Sequence, residues 1–290
     1  MSDPCLTVER ASFAYDAKAL VLSDVTAYVS RGALVGILGP NGSGKTTLLR
    51  LLAGLVSPLE GRVLLDGTDM RTLRRRDLST RMALVPQETQ LAFEYTVLEM
   101  AVMGRYPHLG AFEIEGPDEI EVARDALRQT GTLHLESRWF NTLSGGEKQR
   151  VVIASALAQL EKRLRDPLSD RSGEKGSRSR FSEILLLDEP TASLDLAYQL
   201  EIRSVLARLN ESRGLTVVVS THDLNFAAGL CRELILLDRG RVLAAGLTDS
   251  MLEGTLIRKL YGVEVDITTN PRTGRPTVVP VARAPDAHLS

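Results

Sequence analysis

The residues best suited to chemistry form one contiguous run. Gly39-Pro40-Asn41-Gly42-Ser43-Gly44-Lys45-Thr46, followed by Thr47, fits the pattern G-x-x-x-x-G-K-[ST] at every fixed position. Glycines let backbone N–H groups curl around a polyphosphate, and the run opens a predicted helix, where the peptide dipoles favour an anion. Lys45 is spaced to reach the terminal phosphates, and the Thr46 hydroxyl to ligate Mg2+. A second run, Ile184-Leu185-Leu186-Leu187-Asp188-Glu189, reads as a buried strand that delivers two carboxylates at its end. Asp188 suits the Mg2+ shell, and Glu189 would take a proton from attacking water. In a third run, Leu143-Ser144-Gly145-Gly146-Glu147-Lys148-Gln149-Arg150, a capping serine precedes two glycines. That presents a hydroxyl and bare N–H groups to an anion at a second helix start. One monomer cannot easily close both helix starts on a single nucleotide.

These motifs need elements to hold them. Strands are predicted over residues 6–13, 21–29 and 33–38, the last fully apolar and running into the glycine-rich turn. A helix over 45–55 follows, stopped by Ser57-Pro58, and then strands at 61–65 and 82–85. From 97 to 158 the pattern is helical, with helices at 97–103, 118–129 and from Ser144 through 157. Strands return at 184–187, 216–220 and 234–238, with a helix over 198–213 between the first two. Short apolar strands alternating with helices indicate a mostly parallel sheet covered by helices, with the helical middle inserted into it. Residues 160–182 break the pattern with many charges and few apolar side chains, and 166–180 read as a mobile surface loop. Asn270-Pro271-Arg272-Thr273-Gly274 predicts a hairpin turn between strands at 263–268 and 276–281.

Composition narrows the partners. The 290 residues carry 35 basic and 37 acidic side chains, a net charge of −2, which gives no general attraction to nucleic acid or anionic lipid. Cys5 and Cys231 stand in no metal-ligand spacing and read as reduced thiols. No signal peptide is read at the start, and no apolar run approaches the roughly 18 residues that span a bilayer. If the protein works at a membrane, another chain must supply the membrane part.

In this order the runs resemble the ATP-binding cassettes of ABC transporters, and the likeness covers almost the whole chain. It implies an α/β fold: a P-loop NTPase (RecA-like) core with an N-terminal antiparallel β subdomain and an inserted α-helical signature subdomain. The core would span about 4–92 and 183–250, the helical subdomain 93–160, the charged insertion 161–182, and a C-terminal helix and hairpin 251–290. The resemblance further implies that ATP is held by the loop residues named above, with Tyr15 stacking on adenine. Gln87 resembles the Q-loop glutamine that contacts Mg2+ or water, and Ser193-Leu194-Asp195 the D-loop that crosses a dimer interface. His222 resembles the switch histidine on the γ-phosphate. Ser144, Gly145, Gly146 and Glu147 of one protomer would complete the ATP site of the other, so a homodimer is implied. The resemblance also implies integral-membrane permease subunits, an extracellular or periplasmic solute-binding protein reached through them, and a place on the cytoplasmic face of the cell membrane.

Gly104-Arg105-Tyr106-Pro107-His108 is similar to a run in the ATPases of iron-siderophore, haem and cobalamin importers, with Leu91, Phe93 and Val97 as apolar anchors for a permease helix. Other readings are an ABC ATPase of another transporter class, one of DNA repair or translation, or a P-loop kinase or GTPase. Against the last two, the chain has a single cassette, no heptad run and no Asn-Lys-x-Asp run.

Overall fold

The computed structural model describes residues 4–16, 19–89, 91–110, 112–161, 182–192 and 194–284. β1 (Pro4–Phe13) pairs antiparallel with β2 (Leu22–Ser30) and with β4 (Glu60–Leu65), and β5 (Thr68–Asp69) closes the order β2-β1-β4-β5. A second sheet holds β3 (Leu34–Leu38), β6 (Met82–Val85), β7 (Ile184–Asp188), β8 (Thr216–Thr221), β9 (Glu233–Asp238) and β10 (Arg241–Leu247). Its order is β10-β9-β3-β8-β7-β6, parallel throughout except for the edge strand β10.

The apolar runs are continuous because both faces of this sheet are covered. In β3, Leu34 and Leu38 enter one core, while Val35 and Ile37 enter another. β7 divides the same way, with Leu185 and Leu187 on one side and Ile184 and Leu186 on the other. The second core joins the sheet to the antiparallel strands and to α1 (Lys45–Leu52). The first joins it to α3 (Val97–Val102), α4 (Pro117–Gln129), α5 (Gly145–Leu160) and α6 (Leu196–Arg213).

α1 stops at Leu52 rather than at residue 55, because Gly54 turns the chain at φ +67°. α5 runs to Leu160, beyond the expected 157, while α3 passes at Met103 into a 3-10 turn, Met103–His108. α2 (Arg75–Ser79), α7 (Leu224–Leu230) and α8 (Thr248–Met251) are too short to leave a helical period in the sequence, and none was predicted. α9 (Gly254–Tyr261) then leads into the hairpin β11 (Val263–Thr269) and β12 (Pro276–Arg283), close to the expected strands. The loop read at 166–180 lies outside the described residues, and only Glu161 and Ser182 of the charged insertion lie within them. No described helix is long and apolar enough to cross a membrane.

Candidate nucleotide-hydrolysis site

Parallel strand order gathers the chemistry at one edge. β3, β8 and β7 are neighbours, and each ends at this edge: in the phosphate loop, in Ser220-Thr221-His222 and in Asp188-Glu189. Crevices at the carboxyl ends of such strands are where open α/β sheets bind ligands. Gly44 caps α1 with φ +101°, a backbone state that a side chain would strain. The first turn of α1 has no acidic residue, so its N–H groups keep their positive field.

Lys45 is 5% exposed and donates to the carbonyls of Gly39 at 3.0 Å and Pro40 at 3.2 Å. Its ammonium is also 3.3 Å from Glu189 Oε1. The other Glu189 oxygen is hydrogen-bonded to His222 Nδ1 at 3.0 Å. Glu189 itself takes φ +44°, unusual for a residue with a side chain, and its N–H donates to both the carbonyl and the hydroxyl of Ser220. Next to it, Asp188 Oδ1 accepts from the Thr46 hydroxyl at 3.1 Å and from the Ser220 hydroxyl at 2.6 Å. A pocket of about 400 Å³ opens here between Asn41, Gln87, Glu189, Gln199 and His222. Gln87 is exposed at its wall.

Tyr15 stands to one side. Its ring meets Phe13 edge-on at 4.9 Å, and its hydroxyl accepts from Arg50 at 3.0 Å and lies 3.4 Å from Thr47 Oγ1. At 56% exposure it leaves an aromatic face open to solvent beside the loop helix.

The Ser144 run lies elsewhere. Ser144 caps α5: its hydroxyl accepts from the Glu147 N–H at 3.3 Å, and Glu147 accepts in return from the Ser144 N–H at 2.8 Å. That backbone N–H, helped by the Ser144 hydroxyl, holds the Glu147 carboxyl below its usual range. Gly145 and Gly146 pack against Leu194 and Tyr198 at the start of α6, where Asp195 is the cap and accepts from the Tyr198 N–H at 3.1 Å. Ser193 lies outside the described residues. None of residues 144–147 lines the pocket at Glu189.

Val97 is fully buried and cannot serve as a surface anchor, because it is the first helical residue of α3 and turns into the core. Phe93 is 73% exposed and shares a separate pocket with Leu91, Tyr95 and Phe140. Ser220, which donates to the Asp188 carboxylate and accepts from the Glu189 N–H, was not singled out in the sequence; a polar residue closing the apolar run 217–219 was its signal. Nor was Tyr261 of α9, whose phenol faces the Gly39 backbone and is pushed upward in pKa by burial. It lines a second cavity, of about 1250 Å³, between the phosphate loop and the C-terminal hairpin.

Thr46 and Asp188 present hard oxygen donors side by side, which suits Mg2+. Among the described residues no group of three or more His, Cys, Asp or Glu could hold a metal, so further ligands would come from phosphate oxygens or water.

Fold and site together define a P-loop nucleotide-binding cassette. The sequence profile of the family described as ABC transporter matches residues 22–164. The hemin import ATP-binding protein of Myxococcus xanthus is 40% identical over 88% of this chain and 89% of its own length. The cobalamin import ATP-binding protein of Halobacterium salinarum is also 40% identical, over 90% of this chain, which spans 60% of that relative's length. Among solved structures, a metal-chelate type ABC transporter in an inward-facing conformation superposes with a TM-score of 0.78 at 28% identity, covering 96% of this chain and 98% of the other. A dimeric ATP-binding cassette in a post-hydrolysis state with ADP and Pi gives a TM-score of 0.67 at 28% identity, over 84% and 98%. The chain belongs to the ABC transporter family.

Proposed function

We propose that this chain is the ATP-hydrolysing subunit of an importer for an iron chelate, haem or cobalamin, acting at the cytoplasmic face of the cell membrane as a homodimer bound to permease subunits. The observation that carries the hydrolytic part is the Lys45–Glu189–His222 cluster at the mouth of the phosphate loop, with Thr46 and Asp188 directly behind it. Glu189 is placed to take the proton as water attacks the γ-phosphorus and the bond to the β,γ-bridging oxygen breaks. Lys45 and the α1 N–H groups neutralise charge that spreads onto the phosphate oxygens, and His222 orients Glu189. Thr46 and Asp188 would hold Mg2+, which supplies charge neutralisation on the β- and γ-phosphates. Gln87 borders the same pocket. Tyr15 offers its open face to adenine.

Dimerisation is the natural use of the second helix start. Ser144 and its glycines lie outside the pocket of their own chain, yet form a capped N-terminus fit for phosphate. A twin chain would bring them to the γ-phosphate, and Asp195 with them. The solute class rests on the hemin and cobalamin relatives and the metal-chelate transporter, together with the run Gly104-Arg105-Tyr106-Pro107-His108. The solute itself would be met by the permease and a solute-binding protein outside the cell.

The test is ATP turnover of Glu189→Gln, alone and with the permease in vesicles. Removing the base while keeping the shape lowers turnover roughly 10²-fold and leaves ATP binding in place. Near-normal turnover overturns the assignment. With the wild-type chain, stimulation by haem, a ferric chelate or cobalamin presented outside the vesicle identifies the class, and stimulation by none of the three removes it.

A further inference from the structure

The run Gly104-Arg105-Tyr106-Pro107-His108 has no contact with the nucleotide pocket, yet it contains Arg105, which is fully buried. Its guanidinium reaches across to α5, donating to the carbonyls of Ala158 and Glu161 at 2.5 Å each. His108 Nε2 bonds the carbonyl between them in sequence, that of Gln159, at 2.7 Å. The last carbonyls of a helix have no partner within it, and a cation there also meets the negative end of the helix dipole. α5 has no basic residue of its own in its last turn, so a segment more than fifty positions earlier supplies the cap. Gly104 makes the approach possible: a Cβ there would lie 2.0 Å from the Ser155 carbonyl oxygen. The same end of α5 is tied to the sheet, since Gln159 Nε2 donates to the carbonyls of Ser79 and Met82. Arg76 closes the ring by donating to the His108 carbonyl at 3.0 Å.

From this geometry we infer that Arg105 and His108 are positioning residues that lock the far end of the signature helix to the segment following Gln87. α5 begins at Ser144 and ends at this clamp, so the clamp fixes the direction in which the helix N-terminus is offered. α3 joins the clamp to the stretch that carries Gln87 and Phe93, so a push on that stretch moves Ser144 as part of one body. The inference rests on the reading that Ser144 of one chain meets ATP held by its twin.

Arg105→Met, Arg105→Lys and His108→Ala, each combined with Glu189→Gln, separate the possibilities. ATP affinity of the single chain, which depends on Lys45 and the phosphate loop, stays within about twofold in all of them. ATP-driven dimerisation, read by sedimentation, weakens at least tenfold in Arg105→Met and severalfold in His108→Ala, with partial recovery in Arg105→Lys. Amide exchange accelerates at residues 158–161 and not in the phosphate loop. If Glu189→Gln dimerises with ATP and the two clamp variants dimerise equally well, the clamp has no positioning role and the inference falls alone. If Glu189→Gln never dimerises, the twin-chain reading falls and takes this inference with it. If Arg105→Met does not fold, His108→Ala, which leaves the buried cation in place, decides by the same comparison. Loss of ATP affinity in step with dimerisation in His108→Ala marks a merely structural contact and also overturns the proposal.

Discussion

Replacing Gly146 by alanine adds one methyl group at the second glycine of the Ser144 run. The structure fixes where it goes: 2.3 Å from Tyr198 Cδ1, 2.4 Å from Cγ and 2.9 Å from Cβ. Carbon atoms prefer about 3.5–4.0 Å, so the overlap exceeds an ångström. Swinging the ring relieves the first two contacts but not the third, because Cβ is fixed by the α6 backbone. α6 must therefore shift, or α5 must. Overpacking of this kind costs about 1–3 kcal/mol, while alanine recovers up to about 1 kcal/mol of helix propensity, less near a helix start. The net expectation is a loss of about 1–2 kcal/mol, read as a lower urea midpoint at unchanged slope. Tyr198→Ala removes the two closest atoms. In that background Gly146→Ala should cost much less, giving a coupling of about 1 kcal/mol or more in a double-mutant cycle. Wild-type stability for Gly146→Ala, or a coupling of zero, would refute the claim that Tyr198 dictates glycine here. Function should suffer beyond stability, because Tyr198 is the residue whose N–H the Asp195 carboxylate caps. Pushing the ring away displaces Asp195 and the Ser144 run together.

Two smaller predictions concern titration. Glu147 is held below its usual range by the Ser144 N–H, so its stabilisation is in place above the ordinary carboxylate value of about 4.3 and is lost as pH falls through the lowered folded value. The gap in urea midpoint between wild type and Glu147→Ala, worth about 0.5–1 kcal/mol at neutral pH for a partly exposed cap, should close as pH drops below that range; a gap independent of pH contradicts the cap. Burial pushes the Cys231 thiol up to about 12 and raises Cys5 as well. Since only thiolate reacts, both should stay unlabelled by a thiol reagent at pH 8 in the folded protein and both label in denaturant; rapid native labelling of either contradicts the packing.

What the sequence revealed and what it hid divide by distance along the chain. The phosphate loop was legible because strand, turn and helix are contiguous over residues 34–52 and the turn chemistry is local. The strand carrying Asp188 was legible because a sheet covered on both faces leaves an unbroken apolar run. The helix start at Ser144 was legible because a cap is satisfied within three residues, whereas the helix expected from 198 begins two residues earlier, at Leu196, capped by Asp195. Ser220 was not legible, since its role exists only once β7 and β8 pair in the register that sets Asp188 opposite Ser220, and strand order is not written in either strand. Val97 misled for the same reason, as a helix start looks alike whether its first apolar residue turns in or out.

Arg105 shows the limit most sharply. Within its own run it reads as an ordinary basic residue two positions before a proline, and helical spacing assigns it no partner. Its side chain donates to carbonyls of a helix whose end the sequence places only to within a few residues. Removing a guanidinium from a fully buried position leaves those carbonyls without their donor, at about 1–3 kcal/mol for each unsatisfied group. A residue so costly to lose, in a segment that touches no nucleotide, is explained by what it holds. The chain keeps phosphate chemistry in short local motifs and fixes their relative direction through long-range contacts of this kind, so the first can be read from residues in order and the second only from the folded molecule.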